Sequence, residues 1–528
     1  MSVQIARIGG EASEQYPAEI VGGKAANLAR MAALGLPVPP AFVLPISLCA
    51  ASTSGEATAA QDLAAALAEG MQFLEQTTGK KFGDRRRPLL VSVRSGAARS
   101  MPGMLDTVLD VGCSLPAVHG LVRMTGHPRF AHDCRRRFLE SYGTVVLGID
   151  RAKFANARDE LVAAEHVRGE AALDCDAIEH LAGAYEHVIE DDGQILSDDP
   201  MEHLRSAAEA VFRSWTSERA RTYRKLEHLE DLRGTAVTVQ AMVFGNAGEA
   251  SGAGVAFSRD PSTGAPVPVI DVLFDGQGED VVSGDHNPES EDALARSLPQ
   301  AANALRAALC RLEDDFADVQ DVEFTIEKGK LWLLQTRSAK RTPRAALRFA
   351  IDFVNEGRIT PAEGLGRLDG VDLRALVNKR LVIAAAPLSH GTCASSGVAV
   401  GRAAFDSDTA SRFAIAGEPV ILVRPDTTTA DVAGFATAAG IVTAIGGRTA
   451  HAALVARQMG KPCIVGCTAL SVEPAARMAR LAATTIGEGD WLSIDGEAGA
   501  IYLGRGDVVS ERPDVELAEV ERWRAVAA

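Results

Sequence analysis

Residues 440–467, GIVTAIGGRTAHAALVARQMGKPCIVGC, constrain the fold more than any other stretch. The run 441–445 is short, apolar and β-branched, as a buried strand requires. Gly446-Gly447 breaks it. Residues 449–458 are alanine-rich and helix-permissive, with Leu454, Val455 and Met459 at helical spacing. Gly460 is suited to a C-cap, Pro462 forbids continuation, and 463–465 start another strand. This spacing puts His451 in the first turn of a helix, directly after a glycine turn. Free N–H groups and roughly half a positive elementary charge gather there. That field disfavours imidazolium but favours an anion, so a neutral imidazole can act as a nucleophile toward phosphorus and the group it gains is stabilised. Thr449 is suited to capping the helix. The alternative for an isolated histidine is a surface side chain beside a βα turn. The glycines, the small residues Ala450, Ala452 and Ala453 and the helix start together favour a phosphoacceptor.

The N-terminal half carries groups that suit phosphate. In 21–36 a glycine turn precedes an amphipathic helix with Leu28, Met31, Ala32 and Leu36 on one face. Lys24 stands just after the glycines, as a point charge within reach of a phosphate or as an ordinary helix-start lysine. Residues 89–93 read as a strand that ends in Arg94, a residue able to clamp phosphate bidentately. The loop from Gly96 to Gly103 lets backbone N–H groups close over phosphates, without the G-K-[ST] of a Walker loop. From Ser114 to about Arg233 the chain reads as helical. From Thr235 onward it returns to strands that suggest an antiparallel sheet with long hairpins. In 320–337, QDVEFTIEKGKLWLLQTR, Asp321 and Glu323 alternate with Val322 and Phe324 and so share one face of a strand. Such carboxylates suit Mg²⁺ bridging nucleotide phosphates, or an ordinary charged hairpin face. Arg337 is suited to neutralising charge on a transferred group.

These motifs resemble, in order, those of the pyruvate phosphate dikinase and phosphoenolpyruvate synthase family. The match covers SVRSGAARSMPGMLDTVL, QDVEFT, LQTR and GGRTAHAALVARQMG, where Gly446, Gly447, Thr449, His451, Ala452, Ala453, Ala456, Arg457 and Gly460 agree with the family pattern and Ala450 departs from its usual serine. The resemblance implies an α/β and α+β multidomain chain. It places an ATP-grasp nucleotide-binding domain at 1–340 with a helical insertion about 113–233, a helical linker at 341–388, a swivelling β/α phosphohistidine domain at 389–508 and a linker helix at 509–528. It implies ATP and Mg²⁺ as cofactors. Phosphate contacts fall to Lys24 and Arg94, a glycine-rich lid to Ser100, Met101 and Gly103, and an adenine neighbourhood to Gln240 and Met242. The nucleotide and metal site falls to Asp321, Glu323 and Gln335, the catalytic arginine to Arg337, and support of the phosphohistidine to Gly447, Thr449 and Arg424. Thr449 is a regulatory phosphorylation target in some dikinases; a helix cap is the alternative. Near Arg424 the family's proline is replaced by Thr429.

The implied activity is ATP-dependent, inorganic-phosphate-dependent phosphorylation of His451 with release of AMP and diphosphate. No counterpart of the family's pyruvate and phosphoenolpyruvate barrel is identified in the sequence, so the acceptor, pyruvate or another, is expected on a partner protein or a separate domain. Two alternatives stay open: a water-using synthase-like or antibiotic-type phosphotransferase, and a nucleotide-binding regulatory relative without turnover. The formal net charge of −16 argues against a nucleic-acid or anionic-membrane surface. The basic runs 85–87 and 135–137 read as solvated faces. MSVQIARIGG has no apolar h-region, no apolar run reaches membrane-spanning length, and the eight scattered cysteines fit reduced thiols in a cytoplasm. A homodimer is compatible with all of this.

Overall fold

The computed structural model describes residues 3–10, 14–99, 101, 105–167, 169–283, 286–374, 376–426, 432–448 and 451–527, with backbone alone at 282, 283, 432, 433, 451, 475 and 527. The chain divides into two compact units, Met1–Gly248 with Trp332–Gln335, and Glu249–Leu331 with Thr336–Ala528.

The first unit is built on five strands: β1 (Ala6–Ile8), β2 (Ala41–Leu44), β3 (Val91–Gly96), β4 (Thr107–Val111) and β5 (Ala236–Ala241), in the order β1-β2-β5-β3-β4. All four described contacts between neighbouring strands are antiparallel. Helix α1 (Gly23–Ala33) buries Ala25, Leu28, Ala29 and Met31, the stripe its spacing predicts. Among the described residues, 115–226 form six α-helices and one short 3-10 turn, which agrees with the helical reading of this segment. Among them α2 (Pro128–Val145) starts on a proline, whose missing N–H costs nothing in a first turn. Arg135 and Arg136 of that helix are buried, which corrects the solvated reading. Arg136 pairs with Asp133 at 2.8 Å, Glu140 at 3.1 Å and Glu170 at 2.7 Å. Burial works against an ionised Asp133, but Arg137 and Arg136 outweigh it and hold the carboxyl well below the usual range. The run 85–87 is exposed, as expected.

The second unit holds another five-stranded sheet, β6 (Gly252–Phe257), β7 (Val269–Phe274), β8 (Glu289–Ser290), β9 (Gln320–Glu327) and β10 (Lys330–Ser338), in the order β8-β7-β6-β9-β10. The expected single antiparallel sheet from Thr235 is therefore two, because β5 joins the first unit. After α3 (Pro343–Asn355) and α4 (Pro361–Arg367) comes β11 (Asn378–Val382).

Then follows an eight-stranded mixed sheet: β12 (Ser389–His390), β13 (Thr392–Ser395), β14 (Val398–Ala404), β15 (Val420–Arg424), β16 (Gly440–Thr443), β17 (Cys463–Val465), β18 (Trp491–Asp495) and β19 (Ala500–Leu503), ordered β12-β19-β18-β14-β15-β16-β17-β13. Strands β14 to β17 run parallel, and α5 (His451–Gln458) links β16 to β17. The final strand β20 (Asp507–Glu511) pairs with β11 over five registered positions, and α6 (Asp514–Ala527) packs Leu517, Val520 and Trp523 against Leu347, Ile351 and Leu368. The segments on either side of the eight-stranded sheet are thus zipped into one ribbon rather than hanging as separate linkers. All eight cysteines are free. Among the described residues no helix is long and apolar enough to cross a membrane.

Candidate functional site

In the first unit the glycine turn before α1 and the loop after β3 are brought together. The Gly23 N–H donates to the Ala97 carbonyl at 2.9 Å. A Cβ on Gly22, whose φ is +80°, would lie 1.9 Å from the Gly96 carbonyl oxygen, so only glycine permits this approach. Lys24 in the first turn of α1 and Arg94, two residues before the end of β3, therefore lie on the two segments that meet at this junction. Gln240 is buried and donates its amide to the Pro39 carbonyl at 3.1 Å, so its side chain serves the strand junction. Met242 packs partly buried against the core, and Met101 is buried within it. Ser100 and Gly103 lie outside the described residues. Gln335 is buried, and the Leu333 N–H donates to the Pro37 carbonyl at 2.7 Å.

The second unit gathers the remaining groups on one sheet face. Glu323, Val255 and Asp271 form one cross-strand row over β9, β6 and β7; Asp321 and Phe257 start the next. Direct cross-strand partners share a face, so the three acids lie on one face, with β6 between Asp271 and the pair on β9. The alternation that predicts an open carboxylate face is only half realised: Glu323 is partly exposed, while Asp321 is 2% exposed. The Arg337 Nε donates to Asp321 Oδ2 at 2.8 Å. Burial raises the Asp321 carboxyl pKa, against the pull of Arg337. Burial also works against the Arg337 charge, but Asp321 and Glu323 outweigh it and the guanidinium stays firmly charged. Among the described residues no three His, Cys, Asp or Glu side chains stand together as a metal set. The carboxylate oxygens of Glu323 are hard donors of the kind Mg²⁺ takes, together with water or phosphate oxygens.

Helix α5 starts where β16 ends, at the carboxyl end of parallel strands, the usual ligand edge of such a sheet. Gly446 has φ +117° and breaks the strand as its sequence requires. His451 is the first residue of α5; its side chain, and all of Thr449, lie outside the described residues. Ala452, Ala453, Ala456 and Arg457 form the buried face, while Leu454 and Val455 are half-buried and Met459 is exposed. The apolar stripe read from spacing is thus not the one that packs: alanines let the helix sit close against β13 and β17. Arg424 closes β15 and donates to the Phe405 carbonyl at 2.9 Å.

The start of α5 is held against the acid-bearing sheet. The Arg448 backbone N–H and its Nη1 both donate to Asp271, each at 2.8 Å. The Gly446 N–H donates to Asn287 Oδ1 at 3.1 Å. A Cβ on Gly447 would come within 2.5 Å of Pro288, so that glycine allows the contact. Asp271, Asn287 and Arg448 escape the sequence reading. The available sign is one acid, Asp271, inside the apolar run VIDVLF, since a charge in such a strand needs a partner.

Known families fit this arrangement. Residues 49–296 and 289–356, more than half of the chain, match the profile of the pyruvate phosphate dikinase AMP/ATP-binding domain. Residues 416–499 match the PEP-utilising enzyme mobile domain. The chain is 40% identical over 502 residues to the pyruvate, phosphate dikinase of Clostridium symbiosum, covering 94% of this chain and 57% of that protein. The chloroplastic pyruvate, phosphate dikinase 1 of Zea mays is 40% identical over 492 residues, with 92% and 52% covered. The pyruvate, phosphate dikinase of Rhizobium meliloti (strain 1021) is 39% identical over 518 residues, with 95% and 58% covered. The chain spans little more than half the length of these relatives. By its motifs, its sheets and these matches, the chain belongs to the pyruvate phosphate dikinase family of phosphoenolpyruvate-utilising enzymes.

Proposed function

We propose that the chain uses ATP to phosphorylate its own His451 and that inorganic phosphate takes part. A neutral imidazole nitrogen forms a bond to the β-phosphorus of ATP, and the α–β bridging bond breaks to release AMP. An oxygen of inorganic phosphate then bonds to the γ-phosphorus. The β–γ bridge breaks, diphosphate leaves, and one phosphoryl group stays on His451. The dipole of α5 favours each charged adduct over a protonated ring.

Lys24 and Arg94 hold phosphate oxygens by charge, and Gln240 and Met242 belong to the adenine neighbourhood. Glu323, with Gln335, is the protein's contribution to holding Mg²⁺, which supplies neutralisation of phosphate charge when bound. Asp321, engaged by Arg337, acts as the orienting group for that arginine, and Arg337 offsets charge on the moving phosphorus. Gly447 and Arg424 steady the loop and strand around the histidine. The observation that carries this reading is the seating of the His451 helix on the sheet face that bears Arg337, Asp321 and Glu323.

The phosphoryl group then passes to pyruvate or another acceptor on a separate site. That transfer needs the mixed α/β body to swivel on the ribbon of β11 and β20, since one nucleophile cannot occupy two sites together. Incubation with [β-³²P]ATP, Mg²⁺ and phosphate is expected to give an acid-labile label on the wild-type chain and none on His451→Ala. Equal labelling of both, or none in the wild type, refutes the proposal. Diphosphate as the second product, formed only when inorganic phosphate is supplied, supports the phosphate-using version, and inorganic phosphate released in its place favours the water-using alternative.

A further inference from the structure

Arg457 has no part in the scheme above, yet among the described residues it is the largest fully buried side chain. Its Nε donates to the Ala453 carbonyl at 3.2 Å, one turn back in α5, and its Nη2 to the Arg448 carbonyl. Its Nη1 is buried without a hydrogen-bond partner among the described residues. The guanidinium stacks over the Phe257 ring, 5.2 Å from the centroid. Phe257 is the register partner of Asp321. Asp321 in turn gives only Oδ2 to Arg337, and its Oδ1 is buried without a partner among the described residues. An orphan cationic donor on α5 and an orphan anionic acceptor on β9 thus meet at the same aromatic ring.

Packing alone does not account for this. A buried guanidinium with an unmade hydrogen bond is costly, and an apolar side chain would fill the volume more cheaply. Burial pulls the Arg457 pKa down, and the charges that oppose it are Asp321 first and Asp271 second, with Cys463 and Cys393 weaker. Both acids lie on the sheet and not on Arg457's own helix. Its charge is therefore compensated only while α5 is seated.

We infer that Arg457 is a positioning residue: seated over Phe257 with α5 on the sheet, its guanidinium holds the free side of the Asp321 carboxylate by charge, without a direct hydrogen bond, and Asp321 thereby orients Arg337 for the phosphoryl group that His451 receives. This rests on the phosphorylation reading. It makes the alignment of Arg337 depend on arrival of the histidine that will use it.

The test is acid-quenched single-turnover labelling of the full chain from [β-³²P]ATP with Mg²⁺ and phosphate, across ATP concentrations. Removing a charge that faces a buried carboxylate implies a loss of about 10- to 100-fold in the limiting labelling rate for Arg457→Gln. The half-saturating ATP concentration should stay within about twofold, because uniform binding is untouched. Arg457→Lys, which keeps the charge, recovers most of the rate. In a cycle with Asp321→Asn, the double variant is no slower than the slower single variant. If Arg457→Gln does not fold, Arg457→Met, which keeps the buried volume without the charge, takes its place in the cycle. Wild-type rates in Arg457→Gln, equal rates for Lys and Gln, or losses that multiply in the double variant overturn the inference. A wild-type chain that does not label refutes the phosphorylation reading instead.

Discussion

Replacing Arg448 with alanine tests how firmly the histidine helix is held to the acid-bearing sheet. The Asp271 side chain is 4% exposed and that of Arg448 30%, so the pair is largely shielded from water. The substitution removes the contact from Nη1 at 2.8 Å but leaves the one from the backbone N–H. Stripping one partner from a buried ion pair costs about 3–5 kcal/mol when the other charge stays buried. Here the retained backbone donor, and rehydration of Asp271 if α5 lifts away, cap the cost near ~3 kcal/mol. At about 1.4 kcal/mol per factor of ten, the seated arrangement becomes roughly 100-fold less favourable. The single-turnover rate of His451 labelling should fall by that order, with ATP binding measured by calorimetry unchanged. Thermal unfolding should shift little, since neither hydrophobic core loses an atom. The Arg448→Asp, Asp271→Arg double variant should label faster than either single variant. Labelling of Arg448→Ala within about threefold of wild type would refute the claim that this pair holds the helix for the reaction.

Three other outcomes are expected. Gly22→Ala puts a Cβ 1.9 Å from the Gly96 carbonyl at a φ of +80°; overpacking and strain together predict a loss of about 2–4 kcal/mol by urea titration, with weakened ATP binding by calorimetry. Trp523→Ala, at a side chain 5% exposed among α3, α4 and α6, should cost about 3–5 kcal/mol in the urea midpoint, and a cost below about 1 kcal/mol would mean α6 is not docked. His203 packs on Phe138 and Tyr142, and burial lowers its imidazole pKa below the ordinary 6.5. The unfolded chain then takes up the proton first, so this contribution is complete above the ordinary value and is lost as pH falls toward the folded one. His203→Phe should flatten the acid limb of stability below about pH 6.5, by up to about 1.4 kcal/mol per pH unit; an unchanged slope would contradict it.

Local chemistry was legible wherever it depended on neighbours in the chain. The β16–glycine–α5–β17 order is encoded by β-branched residues, Gly446, an alanine run, Gly460 with φ +62° and Pro462, all within one short stretch. The helical segment 115–226 follows from composition and amphipathic spacing. Side-chain pairings across distance were not legible. Arg448 and Asp271 are 177 residues apart, and nothing local to either specifies the other. Asn378 and Glu511 open a ribbon between segments that each read as linker. Arg136 looks like a surface charge until Asp133, Glu140 and Glu170 converge on it.

The sequence by itself determined which groups stand at which turns: a histidine at a helix start after paired glycines, a lysine and an arginine beside glycine turns, and acids and an arginine on one hairpin. Those are properties of residue type and short spacing, which backbone sterics and the helix dipole impose without reference to the rest of the chain. Only the tertiary structure decided which acid meets which arginine, that Asp321 is turned to Arg337, and that the alanine face of α5 is the one that packs. Burial and charge pairing are set by surfaces far apart in sequence, and an unpaired buried charge is too costly to survive, so those choices are made by the packed whole.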